Sequence, residues 1–194
     1  MERIYLDIDD VLADCSGGIC KFTNRKNPYD NKANWGNREI HELVNIDWQD
    51  MWVKPSWEVW AGFELLPWAN TIVDTAISLV GTSNVFLLTA PVISEGCCYG
   101  KQVWAINNYP DLNIIITKEK QVCVDSNSFL IDDSVKNEKR FINDNKENNF
   151  LLFPSYGNRL ANLVDSFKAD LNLVEYYVKA NYEFCKLTRT LNNR

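Results

Sequence analysis

Five short apolar runs, separated by longer segments with helical spacing, constrain the fold of this chain more than any other feature. They are Ile4-Tyr5-Leu6, Val85-Phe86-Leu87-Leu88, Ile114-Ile115-Ile116, Phe129-Leu130-Ile131 and Phe150-Leu151-Leu152-Phe153. Unbroken apolar runs of this length suit strands buried on both faces. Between them, Pro67 can open a helix through Thr71, Val73, Ala76, Ile77 and Val80, with Gly81 as its stop. Gly100 to Asn108 gives a second helix, closed by Tyr109-Pro110, and Asn158 to Leu171 a third, carrying Leu160, Leu163, Val164 and Phe167. Strands that alternate with helices predict an α/β fold, a doubly wound Rossmann-like parallel sheet whose sites lie at the carboxyl ends of the strands. Leu173 to Tyr182 reads as a further helix, Asn143 to Asn149 as a polar surface loop and Asn192-Asn193-Arg194 as a frayed end.

The stretch from Cys15 to Phe63 breaks this rhythm. It is rich in Asn, holds Pro28 and Pro55, and carries five of the seven tryptophans: Trp35, Trp48, Trp52, Trp57 and Trp60. It is expected to form a small helical, aromatic-rich cap inserted after the first strand, so that residues 1–14 and 64–194 make the core and 15–63 the cap. Most of the tryptophans are expected to build the cap's own small core, since aromatic side chains dominate burial, while one or two face a ligand.

Composition narrows the function. A 194-residue chain with 46% apolar residues suits one domain with a proper core. A net charge of -6 argues against a broad electrostatic grip on duplex nucleic acid or an anionic membrane, so a phosphate ligand must be held by a few placed cations or a metal. No run of about 18 apolar residues suggests a membrane span, and Met1 leads straight into the first strand, which points to a cytoplasmic protein. The cysteines at 15, 20, 97, 98, 123 and 185 match neither zinc spacing nor a disulfide framework, and read as reduced thiols, mostly buried. With His41 as the lone histidine, a His-rich metal site is excluded and acid-base chemistry falls to carboxylates.

The residues just past each strand carry the chemistry. The first run leads to Asp7 and Asp9, the second to Thr89, the third through Thr117 to Lys118 and Lys120, and the fourth to Asp132-Asp133. An acidic turn or helix cap would account for Asp7-Ile8-Asp9-Asp10 by itself. In a parallel sheet, however, all these ends share one side, so carboxylates, a hydroxyl and a lysine meet at one crevice. Gathered carboxylates repel one another, and a metal ion in their midst lowers that cost.

These residues resemble the haloacid dehalogenase-like superfamily of phosphatases from Asp7 to about Arg159. Asp7-Ile8-Asp9-Asp10-Val11 matches its first motif, Thr89 the second, Lys120 the third and Asp132-Asp133 the fourth. More narrowly, Asp7 to Asp14, Leu87-Leu88-Thr89-Ala90-Pro91, Cys98-Tyr99-Gly100-Lys101, Phe129 to Asp133 and Phe153 to Arg159 are similar to the 5'(3')-deoxyribonucleotidase family.

The resemblance implies a magnesium-dependent phosphomonoesterase acting on a small phosphomonoester, a nucleoside monophosphate above all, as a monomer or homodimer. It makes Asp7 the nucleophile, Asp9 the general acid and base, and Thr89 and Lys120 the groups that stabilise the phosphoryl oxygens. Mg2+ would be held by Asp7, the Asp9 carbonyl and an acid of the pair, with Asp133 favoured slightly over Asp132. Lys118 competes with Lys120 for the third motif, and the family-like order Thr117-Lys118-Glu119-Lys120 favours Lys120.

Lys101 matches a second phosphate-contacting lysine, although a solvated lysine on a helix face would fit the sequence equally well. The chain departs from the family at three points: Asp10 replaces a glycine, Ala90 a serine beside the phosphate, and Cys15 a base-stacking phenylalanine. A nucleobase platform must then come from Phe22, Trp35 or Trp52. Two alternatives compete, a phosphatase of another small metabolite such as a sugar phosphate and a catalytically idle binding module of the same fold.

Overall fold

The computed structural model describes residues 2–192 of the chain. The predicted frayed end therefore lies outside the described residues at 193 and 194, while Asn192 closes the last helix. All five apolar runs form strands: β1 (Arg3–Leu6), β2 (Val85–Thr89), β3 (Asn113–Ile116), β4 (Ser128–Asp132) and β5 (Phe150–Leu152). They pair in parallel in the order β3-β2-β1-β4-β5, the Rossmann-like α/β sheet expected. Ten α-helices are described: α1 (Cys15–Phe22), α2 (Ile40–Leu43), α3 (Trp48–Trp52), α4 (Trp57–Ala61), α5 (Ala69–Val80), α6 (Cys97–Asn108), α7 (Lys120–Cys123), α8 (Val135–Asn143), α9 (Val164–Ala169) and α10 (Leu171–Asn192).

Strand period decides which side chain enters which layer. Ile4 and Leu6 of β1 join Phe129 and Ile131 of β4 in one apolar layer, which α5, α6, α9 and α10 cover through Ile72, Trp104, Phe167 and Val178. The intervening Tyr5 and Leu130 join Leu88 and Phe150 in a second layer under Phe141 of α8. Both faces are covered, which is why the runs are apolar at every position.

Helix ends differ from the sequence expectation where side chains compete for the backbone. α5 stops at Gly81 as expected, because that residue takes φ +83°, a left-handed conformation costly for residues with a Cβ. Asn158 does not start a helix: its side-chain amide donates to the carbonyls of Phe153 (2.7 Å) and Asp133 (2.9 Å), and its Oδ1 accepts the N–H of Leu160. Those bonds hold a turn, so the segment begins instead as a short 3-10 helix at Ala161–Leu163 and then α9. α6 starts at Cys97, three residues before the expected Gly100.

Residues 15–61 supply α1 to α4, the helical segment expected between β1 and the next βα unit. Its aromatic residues do not form a separate core. Tyr29, Met51 and Trp60 belong to the same apolar cluster as the sheet. The reason is the close approach of α4 to α6 at Gly100, where an added Cβ would lie 2.5 Å from the Trp57 carbonyl oxygen and from Trp60 Cβ. Among the described residues no helix is long and apolar enough to cross a membrane.

Candidate active site

β1 is central, with β2 and β4 on either side, so the chain leaves it at a topological switch point where a crevice opens beyond the strand ends. Asp7 follows β1 directly, Thr89 and Asp132 are the last residues of β2 and β4, and Lys120 opens α7. The structure brings these four together with Asp9, Lys101 and Asp133. Every one is buried except Asp9, which is half-buried.

Two lysines divide the crevice. Lys120 Nζ lies 2.7 Å from both Asp7 Oδ1 and Asp132 Oδ2. On the other side, Lys101 Nζ is bonded to Asp9 Oδ2, to Thr89 Oγ1 (2.9 Å) and to the Ala90 carbonyl (2.7 Å). Lys101 is thus no solvated lysine of a helix face. Burial works against both ammonium charges, yet Asp9 beside Lys101, and Asp132 and Asp7 beside Lys120, hold their pKa values above the ordinary lysine value. Lys118 is exposed, and its carbonyl accepts from Arg140 (2.8 Å), so Lys120 is the lysine that enters the crevice.

The acids are not equivalent. Asp132 accepts three hydrogen bonds: its Oδ1 from the Ser134 N–H (2.7 Å), and its Oδ2 from Lys120 and from Asn137 (2.9 Å). Asp133 is held by Ser155 (2.9 Å) and by the Arg38 guanidinium (3.1 Å). On Asp7, the Ile8 N–H (2.8 Å) and Lys120 both engage Oδ1, leaving Oδ2 without a donor among the described residues. Burial pushes the Asp7 carboxyl up to about 8, against the pull of Lys120 and with the repulsion of Asp132, Asp9 and Asp133. Burial likewise raises Asp133 above the ordinary carboxylate value.

Asp7, Asp132 and Asp133 offer ligand atoms that all lie within 4.8 Å of one another. Oxygen donors at this spacing suit a hard divalent cation. Five carboxylates, from Asp7, Asp9, Asp10, Asp132 and Asp133, face three cations, Arg38, Lys101 and Lys120, and one divalent ion would offset the excess. Among the described residues, Asp9 Oδ1 is buried without a hydrogen-bond partner, as is Trp60 Nε1, whose ring lies 5.6 Å from Lys101 Nζ. Asp7, Asp132 and Asp133 therefore fit a hard divalent cation.

Asp10, where the resemblance leads one to expect glycine, takes φ +54°, a region Asp enters more readily than most residues. Its carboxylate accepts from the Ser16 N–H (2.9 Å) and the Ser16 hydroxyl in the first turn of α1. Those bonds offset the strained backbone. Burial nevertheless raises Asp10 to about 7, with Asp133 adding to the effect.

The aromatic candidates separate. Trp35 lines a cleft of about 480 Å3 whose wall includes Asp10, Ser16, Tyr29, Ser155 and Tyr156, and its ring lies 5.2 Å from that of Tyr156. Trp52 packs on Trp60, with ring centroids 6.4 Å apart. Phe22 is exposed on a different surface, beside Arg25, Asp47 and Lys54, and is not brought to the crevice. Cys15 is buried, and burial raises its thiol well above the ordinary value.

Sequence reasoning missed Arg38, Asn137 and the support of Asp133 by Ser155. Ser155 stands in the family-like Phe153–Arg159 segment and could have been found there. Arg38 sits in an Asn- and Gly-rich loop with no pattern to mark it. A scan against protein-family models gave no match to this chain, and a search of curated proteins found no significant relative.

Proposed function

We propose that this chain is a magnesium-dependent phosphomonoesterase that works through an aspartyl-phosphate. The observation that carries this reading is the division of the crevice: Asp7 and its Lys120 partner on one side, Asp9 with Lys101 and Thr89 on the other.

Asp7 Oδ2, the oxygen without a donor, would attack phosphorus as the ester P–O bond breaks, giving an acyl phosphate on Asp7 and an alkoxide that takes a proton from Asp9. Asp9 would then remove a proton from water as it attacks phosphorus, releasing inorganic phosphate and restoring the Asp7 carboxylate. Asp9 Oδ1, buried and unpartnered, is the oxygen suited to carry that proton, because Lys101 already engages Oδ2. Lys101, Lys120 and the Thr89 hydroxyl supply fixed positive charge and a donor for the phosphoryl oxygens, preorganised by their buried bonds.

Bound magnesium would supply charge neutralisation between the anionic nucleophile and the anionic ester. Asp7, Asp133 and the Asp9 carbonyl would hold it. Asp133 suits that role better than Asp132: it has one donor on each oxygen, Arg38 and Ser155, whereas Asp132 accepts from three, Ser134, Lys120 and Asn137.

For the substrate, the proposal is a nucleoside monophosphate. The cleft that holds Trp35 and Tyr156 is lined by none of Asp7, Asp9, Asp132, Asp133, Lys101 and Lys120, but it adjoins the crevice through Asp10, next to Asp9, and Ser155, which bonds Asp133. It has the volume of a small-ligand site and offers aromatic surface to a base. A phosphate-release screen over nucleoside monophosphates and sugar phosphates with Mg2+ tests both parts. Turnover of nucleotides, lost with a chelator and in Asp7→Asn, is the expected result. Asp7→Asn releasing phosphate at the wild-type rate would refute the mechanism, and turnover of sugar phosphates alone would refute the substrate.

A further inference from the structure

Among the described residues three cations reach the crevice, and they are held very differently. Lys120 and Lys101 are buried, and their partners lie on the fixed ends of β1, β2 and β4. Arg38 comes from the loop before α2, with a side chain 46% exposed, and both of its bonds go to one residue, Asp133: Nη2 to Oδ1 at 3.1 Å and Nη1 to the carbonyl at 3.4 Å.

The backbone around Arg38 is anchored. The Gly36 N–H donates to the Tyr156 carbonyl (2.8 Å), and the Tyr29 hydroxyl donates to the Asn37 carbonyl (2.8 Å). Any movement of the charge must therefore come from the long side chain. The Arg38 side chain is 46% exposed while the Asp133 it touches is buried, which places the guanidinium at the solvent edge of the acidic crevice.

Arg38 thus stands as the protein's own counter-ion on Asp133, the acid whose carboxylate can share a divalent ion with Asp7. A metal and a guanidinium on the same carboxylate repel each other, so loading one favours release of the other. A released guanidinium has a planar set of donors that matches the oxygens of a phosphate.

We propose, on the strength of the phosphatase reading above, that Arg38 is a substrate-binding residue lent to Asp133 until magnesium arrives, and that it then clamps the dianionic phosphate of the incoming ester. Magnesium binding and phosphate binding are coupled through this one side chain.

The test is calorimetric titration of the full chain without substrate, with Mg2+ first and then with inorganic phosphate at saturating Mg2+. Arg38→Gln should tighten Mg2+ by about tenfold, the equivalent of about 1.4 kcal/mol, and weaken phosphate by tenfold or more. Arg38→Lys keeps the charge without the forked geometry, and should leave Mg2+ near wild type while still weakening phosphate. Unchanged or weaker Mg2+ binding in Arg38→Gln would overturn the role as counter-ion, and unchanged phosphate binding the role as clamp. A wild-type chain that binds no Mg2+ would instead overturn the phosphatase reading itself, so the two failures are told apart.

Discussion

Replacing Asp7 by Asn should stabilise the metal-free protein while removing its activity. Asp7 is buried, and in the absence of a metal its carboxyl is raised from an ordinary 3.8 to about 8, chiefly by desolvation. A carboxyl whose folded-state pKa lies above the unfolded value binds more protons folded than unfolded in that window, so its contribution favours folding at low pH and is lost as pH rises toward 8. A tenfold change in a proton's dissociation constant corresponds to about 1.4 kcal/mol, which sets a ceiling on the order of 6 kcal/mol across the window. Relaxation and water entry on ionisation recover part of this, and about 2 kcal/mol is expected at pH 8. Asn keeps the shape and carries no charge, and Lys120 retains Asp132 at 2.7 Å.

The assay is urea denaturation of wild type and Asp7→Asn in a chelator at pH 5, 6.5 and 8. The variant should be the more stable of the two, by a margin that grows from pH 5 to pH 8. Adding Mg2+ at pH 8 should raise the stability of wild type and close the gap, because the ion favours the ionised carboxylate. A variant less stable than wild type at pH 8 in chelator, or a gap that does not grow with pH, would refute the assignment of Asp7 as a desolvated carboxylate awaiting a cation.

The packing and the charge pairs make two further substitutions informative. Gly100→Ala, which favours an exposed helix by about 1 kcal/mol, should here cost about 2–3 kcal/mol in urea denaturation, because the new methyl meets the Trp57 carbonyl oxygen and Trp60 Cβ at 2.5 Å. Lys101→Met should lower kcat/KM on the best nucleotide by about 100-fold or more, since it strips Asp9 and Thr89 of their shared buried cation. A loss of less than threefold in a folded variant would place Lys101 outside the chemistry.

The parallel sheet was legible because burial on both faces leaves a simple trace, runs apolar at every position, and because such a sheet sends all its carboxyl ends to one side. Asp7, Thr89, Lys120 and Asp132-Asp133 could thus be grouped before any distance was known. Lys101 was harder, since a lysine in the second turn of a helix reads as solvated unless the strand it packs against is known. The start of α9 was hidden for a similar reason. The side chain of Asn158, bonded to the carbonyls of Phe153 and Asp133, decides where the helix begins, and only the folded sheet brings the Asp133 carbonyl within its reach.

The segment between β1 and α5 was least legible, and the reason bears on specificity. A strand end fixes its residues by the sheet's geometry, whereas residues 15–61 form short helices and turns whose positions depend on what they touch. Arg38 reaches Asp133 because the Gly36 and Asn37 backbone is tied to Tyr156 and Tyr29, and Trp35 meets the cleft because its indole N–H donates to the Tyr29 carbonyl (2.9 Å). None of these ties has a sequence period. The core therefore carries the constraints of the proposed chemistry, which tolerates little displacement, while the segment before α5 carries the contacts that would choose the substrate. Replacing Trp35 should for that reason change which phosphomonoester is preferred more than it changes the rate on any substrate whose leaving group makes no contact there. A Trp35→Ala variant whose kcat/KM falls equally on nucleotides and on small phosphate esters would place the selecting surface elsewhere.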